Sequence, residues 1–389
     1  MLADPEVRAL ILETFGSLDI AINSAISTET PPELTAALRN NAFIFSGFKT
    51  YHSLSEVGLA LTDPDGKVKS FEQFSRDVHA IDSKYNVNYL RAEYNHAVRS
   101  SQMAVRWNDA VRDGDRYLLQ YRTAGDGRVR EAHAALHNTT LPPSDPFWDS
   151  YYPPNGWNCR CTAVQVLRDD YRQSDSAAAI AAGEACTSEP KQRIFRFNPG
   201  KQLKLFPPKH PYLPKGCGNC SRRGQINLSR GLGLPQCQAC GPILKLCLKE
   251  AERRVKEWMK EKIPEHGHIA ITGDNFTTGS MLVTRGALKD VMWHTSNVAI
   301  IGSLEGIDRT ALKYRYLGWM PNKPDNETGE IKHPEAAFFM YYEVELGGKN
   351  YYVNVKAHKG LKAEVFYCIY GKCDTSKLKP GIPKPPEQW

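Results

Sequence analysis

YRTAGDGRVREAHAALHNTTLPPSDPFWDSYYPPNGWNCRC, residues 121–161, breaks at its glycines and prolines into short strand-like pieces and turns. Its chemistry-bearing residues are His133, Cys159 and Cys161, with Arg122, Arg128 and Arg130 around them. Cys159 and Cys161 flank Arg160, and a C-x-C pair of this kind makes a strained disulfide. With His133, and with His137 as a further candidate, the two thiols form the ligand set of a mixed His/Cys zinc site. Such a site would pin a loop-rich segment with little core of its own. The competing reading is two packed thiols and a histidine that caps a turn. The three arginines either reach DNA or bridge to Asp126 and Asp145.

Upstream, the pattern is helical. Residues 6–27 carry apolar positions at helical spacing and end at TETPPE, and a second helix starts at Pro32. Asp63, Pro64, Asp65 and Gly66 form a strong turn. Ser70, followed three residues later by Gln73, resembles a capping box and predicts a helix through Lys84. A long helix without internal Pro or Gly follows over 87–111, its aromatic and alanine stripe reading as a packing face.

Downstream, residues 169–200 are expected to be a Ser/Ala-rich linker. A basic Gly/Pro-rich module over 201–262 follows, in which Cys217-x-x-Cys220 and Cys237-x-x-Cys240 have the spacing that delivers four thiolates tetrahedrally to one Zn2+. Arg222, Arg223 and Arg230 lie between the two knuckles with no acid nearby, placed to meet a phosphate backbone. Residues 263–380 alternate in strands, clearest in AFFMYYEVEL, NYYVNVKAHK and AEVFYCIYG. Gly347-Gly348 joins the first two as a hairpin, and a Pro-rich tail closes the chain at 381–389. The expected fold is α+β and multidomain. It comprises a mainly helical N-terminal domain over 1–168, a small zinc-ribbon-like module, and a C-terminal α+β domain with an antiparallel sheet.

Length and charge support that division. A chain of 389 residues exceeds one ordinary core, and 41% hydrophobic with 24% charged residues is a globular balance. Residues 1–200 hold 21 Lys/Arg against 25 Asp/Glu, and 201–389 hold 29 against 18. From Pro190 to Lys249 there are twelve Lys/Arg and no acid, which favours either a polyanion partner or a solvated basic linker. No apolar stretch is long enough for a membrane helix, and the N-terminal residues MLADPEVRAL lack a basic region followed by an apolar run, so the expected setting is a cytoplasm without membrane contact. Eight of the ten cysteines sit in close pairs or one tight cluster, which points to thiols and metal rather than a disulfide framework.

The ordered string Tyr121-Arg122-Thr123-Ala124, Asp126, Arg128, Arg130, His133, Leu136, Asp145, Phe147-Trp148 and Pro153-Pro154-Asn155-Gly156-Trp157-Asn158-Cys159-Arg160-Cys161 resembles the phage Mu F-like minor head proteins. FSGFKT, DPDGKVKSFEQF and the long helix extend the resemblance to about residues 40–165. It departs from the family pattern at His137-Asn138, where many members carry a Gly. The resemblance implies a virion component at the portal vertex, assembled in the host cytoplasm, with portal and capsid proteins and nucleic acid as partners.

The order of segments over 266–377 is similar to the barnase/EndoU/colicin/RelE-like ribonuclease modules found at the C-termini of such proteins. That similarity implies a metal-independent ribonuclease, which needs proton-transfer groups and a cation for the developing phosphate charge. The candidates are His294 and His358 for proton transfer and Lys356 and Arg285 for charge, with Tyr314 and Arg315 as helpers. Lys356 and His358 share one strand face by the period of two, which suits a site and a solvated face equally.

Overall fold

The computed structural model describes residues 2, 4–213, 240–324, 328–346, 348–381 and 386–389. They fall into two compact units, the first holding most of the chain up to 213 and the second most of it from 244 onward. Among the described residues no helix is long and apolar enough to cross a membrane.

The first unit is built on helices α1 (Pro5–Asn23), α2 (Pro32–Leu59), α3 (Phe71–Ser83) and α4 (Leu90–Asp113). The Ser70 hydroxyl accepts a bond from the Gln73 amide at 3.3 Å, so the expected cap starts α3. A π-helical turn, Lys84–Tyr89, then joins α3 to α4. Gly66 closes the predicted turn at φ +81°, a conformation natural to glycine.

Strand β1 (Tyr117–Arg122) forms the centre of a three-stranded antiparallel sheet, between β2 (Thr140–Leu141) and β3 (Thr162–Leu167). Short helices α5 (Glu131–Ala134) and α6 (Phe147–Tyr151) interrupt the loops between these strands. Asn138 takes φ +65°, which asparagine tolerates, and this accommodates the departure from a family glycine.

The loop-rich segment has more core than its composition promised. Phe147, Trp148 and Tyr152 are fully buried and pack with Met103, Trp107 and Tyr121. The proposed linker is also ordered structure. Residues 169–200 carry α7 (Ser176–Cys186), α8 (Pro190–Arg193) and the start of α9 (Pro199–Gln202). Asp175 caps α7 by accepting from the Ala178 amide at 2.7 Å. Small side chains that resembled a flexible tether are what let α7 approach α6 closely: a Cβ on Gly183 would lie 2.4 Å from the Tyr151 ring. Gly200 touches Trp107 in the same way, and Phe195, Phe197, Leu205 and Phe206 are buried. The first unit therefore continues past the expected boundary at 200.

Helix α10 (Cys240–Lys262) follows the residues outside the described set. Cys217, Cys220, Cys237, Arg222, Arg223 and Arg230 lie among those residues; Cys240 opens α10 and is half-buried.

The second unit is a six-stranded sheet: β4 (His268–Thr272), β5 (Ser280–Thr284), β6 (Arg315–Pro321), β7 (Ala336–Leu346), β8 (Lys349–His358) and β9 (Ala363–Tyr370). Their order is β4-β5-β9-β8-β7-β6. All neighbours are antiparallel except β5 and β9, so the sheet is mixed rather than wholly antiparallel. β7 and β8 pair from Ala336↔His358 to Leu346↔Lys349, the expected hairpin. Helices α11 (Arg285–His294), α12 (Val298–Leu304) and α13 (Ile307–Thr310) fill the stretch between β5 and β6; α11 packs on β9 and α12 on β7. Along β8, Val353, Val355 and Ala357 are fully buried while Lys356 and His358 are only half-buried, but Asn354, which the period of two puts on the face of Lys356 and His358, is buried, and the register with β9 shifts between Asn354 and Val355.

Candidate functional site

β1 and β3 run side by side, with Tyr121 opposite Ala163, so the residue just before β3, Cys161, lies beside the end of β1. Asn158, at φ +55°, turns the chain into Cys159. Both thiols then reach one imidazole: Cys159 Sγ and Cys161 Sγ each lie 3.6 Å from His133 Nδ1. The three ligand atoms fall within 4.8 Å of one another, and all three residues are buried. Neither cysteine is in a disulfide. The three residues that the sequence grouped thus come together in the fold. His137 is not with them: its Nδ1 accepts from the Thr123 amide at 3.2 Å.

The cluster is electrostatically tense. Burial opposes a charge on His133, but bonds to Cys159 and Cys186 outweigh it and raise the ring to about 9. A hydrogen bond from the Cys161 thiol, with His133 beside it, holds Cys159 far below the ordinary thiol range, and the same contact pushes Cys161 up. Tyr121, fully buried, donates to Asn155 Oδ1 at 2.9 Å.

Beside the cluster a cleft of about 750 Å3 is lined by Tyr94, Arg99, Arg128, Arg130 and Arg160 as well as His133 and the two cysteines. Its arginines have partners within the fold. Arg160 makes two bonds to Asp126, which hold that carboxyl well below the carboxylate range, and Arg130 donates to the Trp157 carbonyl at 2.7 Å. Arg128 is the exception in exposure, its side chain 83% accessible and 3.7 Å from Asp126.

In the second unit the four candidates are dispersed among different tasks. Arg285 donates to the Ile263 carbonyl at 2.8 Å and the Lys260 carbonyl at 3.3 Å, capping the end of α10. His294 is exposed and holds its own helix through the Asp290 carbonyl at 2.9 Å. His358 Nδ1 accepts from the Leu361 amide. Among the helpers, Tyr314 is buried and Arg315 pairs with Glu343 at 2.6 Å.

Lys356 instead meets three residues that sequence reasoning missed. Its ammonium bonds Glu335 at 2.7 Å and His333 Nδ1 at 3.1 Å, and sits 4.2 Å over the Tyr367 ring. Tyr367 Oη closes the group 2.9 Å from His333 Nε2. Partial burial and the adjoining Lys356 lower the His333 pKa, with Glu335 opposing. His333 also lines a cleft of about 600 Å3 together with Lys323, Lys332, Lys377 and Lys379. The KHPE turn before β7 carried the only local signal, a histidine and a carboxylate two apart.

Residues 66–164 match the family described as Phage Mu protein F like protein. Over 204 residues the chain is 30% identical to the "Putative capsid assembly protein F" of Escherichia phage Mu, covering 50% of this chain and 44% of that protein. Over 55 residues it is 45% identical to the "Mu-like prophage FluMu F protein" of Haemophilus influenzae, covering 14% of this chain and 13% of that one. The chain thus spans less than half the length of the curated relatives it matches. No solved structure matches. Residues 66–164, which hold α4 and the His133, Cys159 and Cys161 cluster, are thus similar to the Phage Mu protein F like domain.

Proposed function

We propose that the chain is a portal-associated minor head protein that acts in phage head morphogenesis and contacts nucleic acid. The observation that carries this is the 204-residue alignment with a relative whose name is that of a capsid assembly protein. Support for nucleic-acid contact comes from the twelve Lys/Arg without an acid between Pro190 and Lys249. Stopping the reading frame with an amber codon in a particle-producing host is expected to leave the major capsid protein made but filled heads scarce. Normal yields of filled heads that lack the chain would refute the assembly role. Binding of the full chain to duplex DNA should weaken steeply with salt, roughly tenfold or more between 50 and 200 mM, and show little sequence preference. Affinity that stays level over that range would remove the nucleic-acid part.

A second reading, a virion-carried metal-independent ribonuclease, is supported by the group around Lys356. An imidazole with a lowered pKa, a lysine and a tyrosine meet beside a cleft lined by four further lysines, a setting suited to a phosphodiester. The full chain is expected to cleave RNA in the presence of a chelator, and His333→Gln to slow this by about 100-fold or more. Cleavage unaffected by His333→Gln and by Lys356→Met, or no cleavage at all, would dismiss the reading.

A further inference from the structure

Two thiols share one nitrogen in the first unit, and hydrogen bonding alone accounts poorly for that. Nδ1 of an imidazole offers a single lone pair or a single proton, yet Cys159 Sγ and Cys161 Sγ both approach it at 3.6 Å. A metal explains the spacing directly. Tetrahedral Zn2+, with Zn–S of about 2.3 Å and Zn–N of about 2.0 Å, sets its nitrogen and sulfur ligands about 3.6 Å apart.

For a fourth position α7 offers a further buried thiol. Its last residue, Cys186, is buried in the same core as Cys159 and Cys161, and α7 packs on α5, which carries His133. Among the described residues only His133, Cys159 and Cys161 have ligand atoms within 4.8 Å of one another, so Cys186 would have to swing in from the shared core to complete the set. The arginine-lined cleft is bordered by His133, Cys159 and Cys161 but not by Cys186, so this thiol approaches the cluster from the core side.

We propose that His133, Cys159, Cys161 and Cys186 together bind one Zn2+ in a closed, structural site. Three thiolates and an imidazole are soft donors that suit zinc, and with four protein ligands no position is left for a reacting water. Binding takes three thiolates and a neutral imidazole, the displaced protons going to solvent, and leaves the centre with one net negative charge. Arg160, between two of the ligands and already paired to Asp126, is the nearest cation in sequence to offset it. The site would fasten α5, the Cys159 to Cys161 loop and α7 to one point. Cys186 lies outside the 66–164 domain match, so the segment beyond that match would complete the domain.

The test uses the full chain with Cys217, Cys220, Cys237 and Cys240 changed to serine, so that any metal counted belongs to this cluster. One equivalent of zinc is expected by elemental analysis, and Co2+ exchanged into the protein should give thiolate-to-metal absorption of the strength of three thiolates. Cys186→Ser should drop that absorption to two thiolates and weaken binding by more than the roughly 10–100-fold typical of outer-sphere partners. Cys186→His should keep the metal. Should Cys186→Ser fail to fold, the thiolate count in the parent and retention by Cys186→His still decide. No zinc in the parent, a two-thiolate Co2+ spectrum there, or Cys186→Ser with unchanged spectrum and affinity would each overturn the proposal.

Discussion

Replacing Lys49 by methionine is expected to destabilise the first unit by about 3–5 kcal/mol, the cost of breaking a buried ion pair by removing one partner. Lys49 on α2 is 2% exposed, and its ammonium lies 2.6 Å from Glu93 Oε2 on α4. Tyr212 Oη donates to the other carboxylate oxygen. Burial pushes the Lys49 pKa down and the Glu93 pKa up, and each partner counters the desolvation of the other. Without the lysine, Glu93 keeps one phenol donor, Tyr212, whose ring packs against Phe45 and Tyr85. It must then remain charged and under-solvated or take up a proton.

The companion experiment is the double variant Lys49→Met with Glu93→Leu. It removes both charges and should cost less than the lysine change alone, giving a coupling of opposite sign to the single losses. Denaturant titration read by hydrogen exchange in peptides from α2 and α4 isolates this unit from the second one. A loss below about 1 kcal/mol for Lys49→Met would mean that water reaches the pair, contrary to its burial.

The sequence disclosed what local rules govern. The Ser70 to Gln73 cap, the turn at Gly66 and the β7 to β8 hairpin depend on residues a few positions apart, and all three form as their chemistry dictates. The His133, Cys159 and Cys161 group was legible because one short segment carries all of it. Contacts formed over long sequence separations were not. Alanines and a glycine from 177 to 185 looked like a tether, since their small size is the same whether they face solvent or allow close packing on Tyr151. Tyr212 meets Glu93 across 119 residues, and Tyr367 meets His333 across 34. Arg285 and His294 had suitable chemistry for catalysis, but helix ends claimed them, one at the carbonyls that end α10 and the other on its own helix.

Acid should weaken the first unit well before its carboxylates titrate, because two of its histidines are buried as neutral rings. His96 on α4 is 1% exposed, with Trp157, Phe195 and Phe206 around it at 5.0, 5.4 and 5.7 Å between ring centres. Burial lowers its pKa to about 4. His210 lies against Phe45 at 5.0 Å, and burial, with His52 adding to it, lowers its pKa to about 3. Unfolded, each ring titrates near 6.5. Between that value and about 4 the unfolded chain therefore binds protons that the folded chain does not, and stability falls as pH falls. Above pH 6.5 neither ring contributes a slope. Each ring costs about 1.4 kcal/mol per pH unit within the window, so the two together remove on the order of 5 kcal/mol between pH 6.5 and 4.5. Other shifted groups of this unit also contribute: Cys159, held below the thiol range, adds to the decline, and Glu93, raised by burial, opposes it. Asp126 is held down by Arg160 and matters only below about pH 4, and His133, raised to about 9, acts between 6.5 and 9 with the opposite sign. Denaturant midpoints of the first unit at pH 7, 6, 5 and 4.5 should trace this decline, and His96→Asn or His210→Asn should each reduce its slope by about half whatever the change in stability at pH 7. Midpoints that stay level from pH 6.5 to 4.5 would show that both rings can charge in place, and the packing around His96 and His210 would then have to open to water.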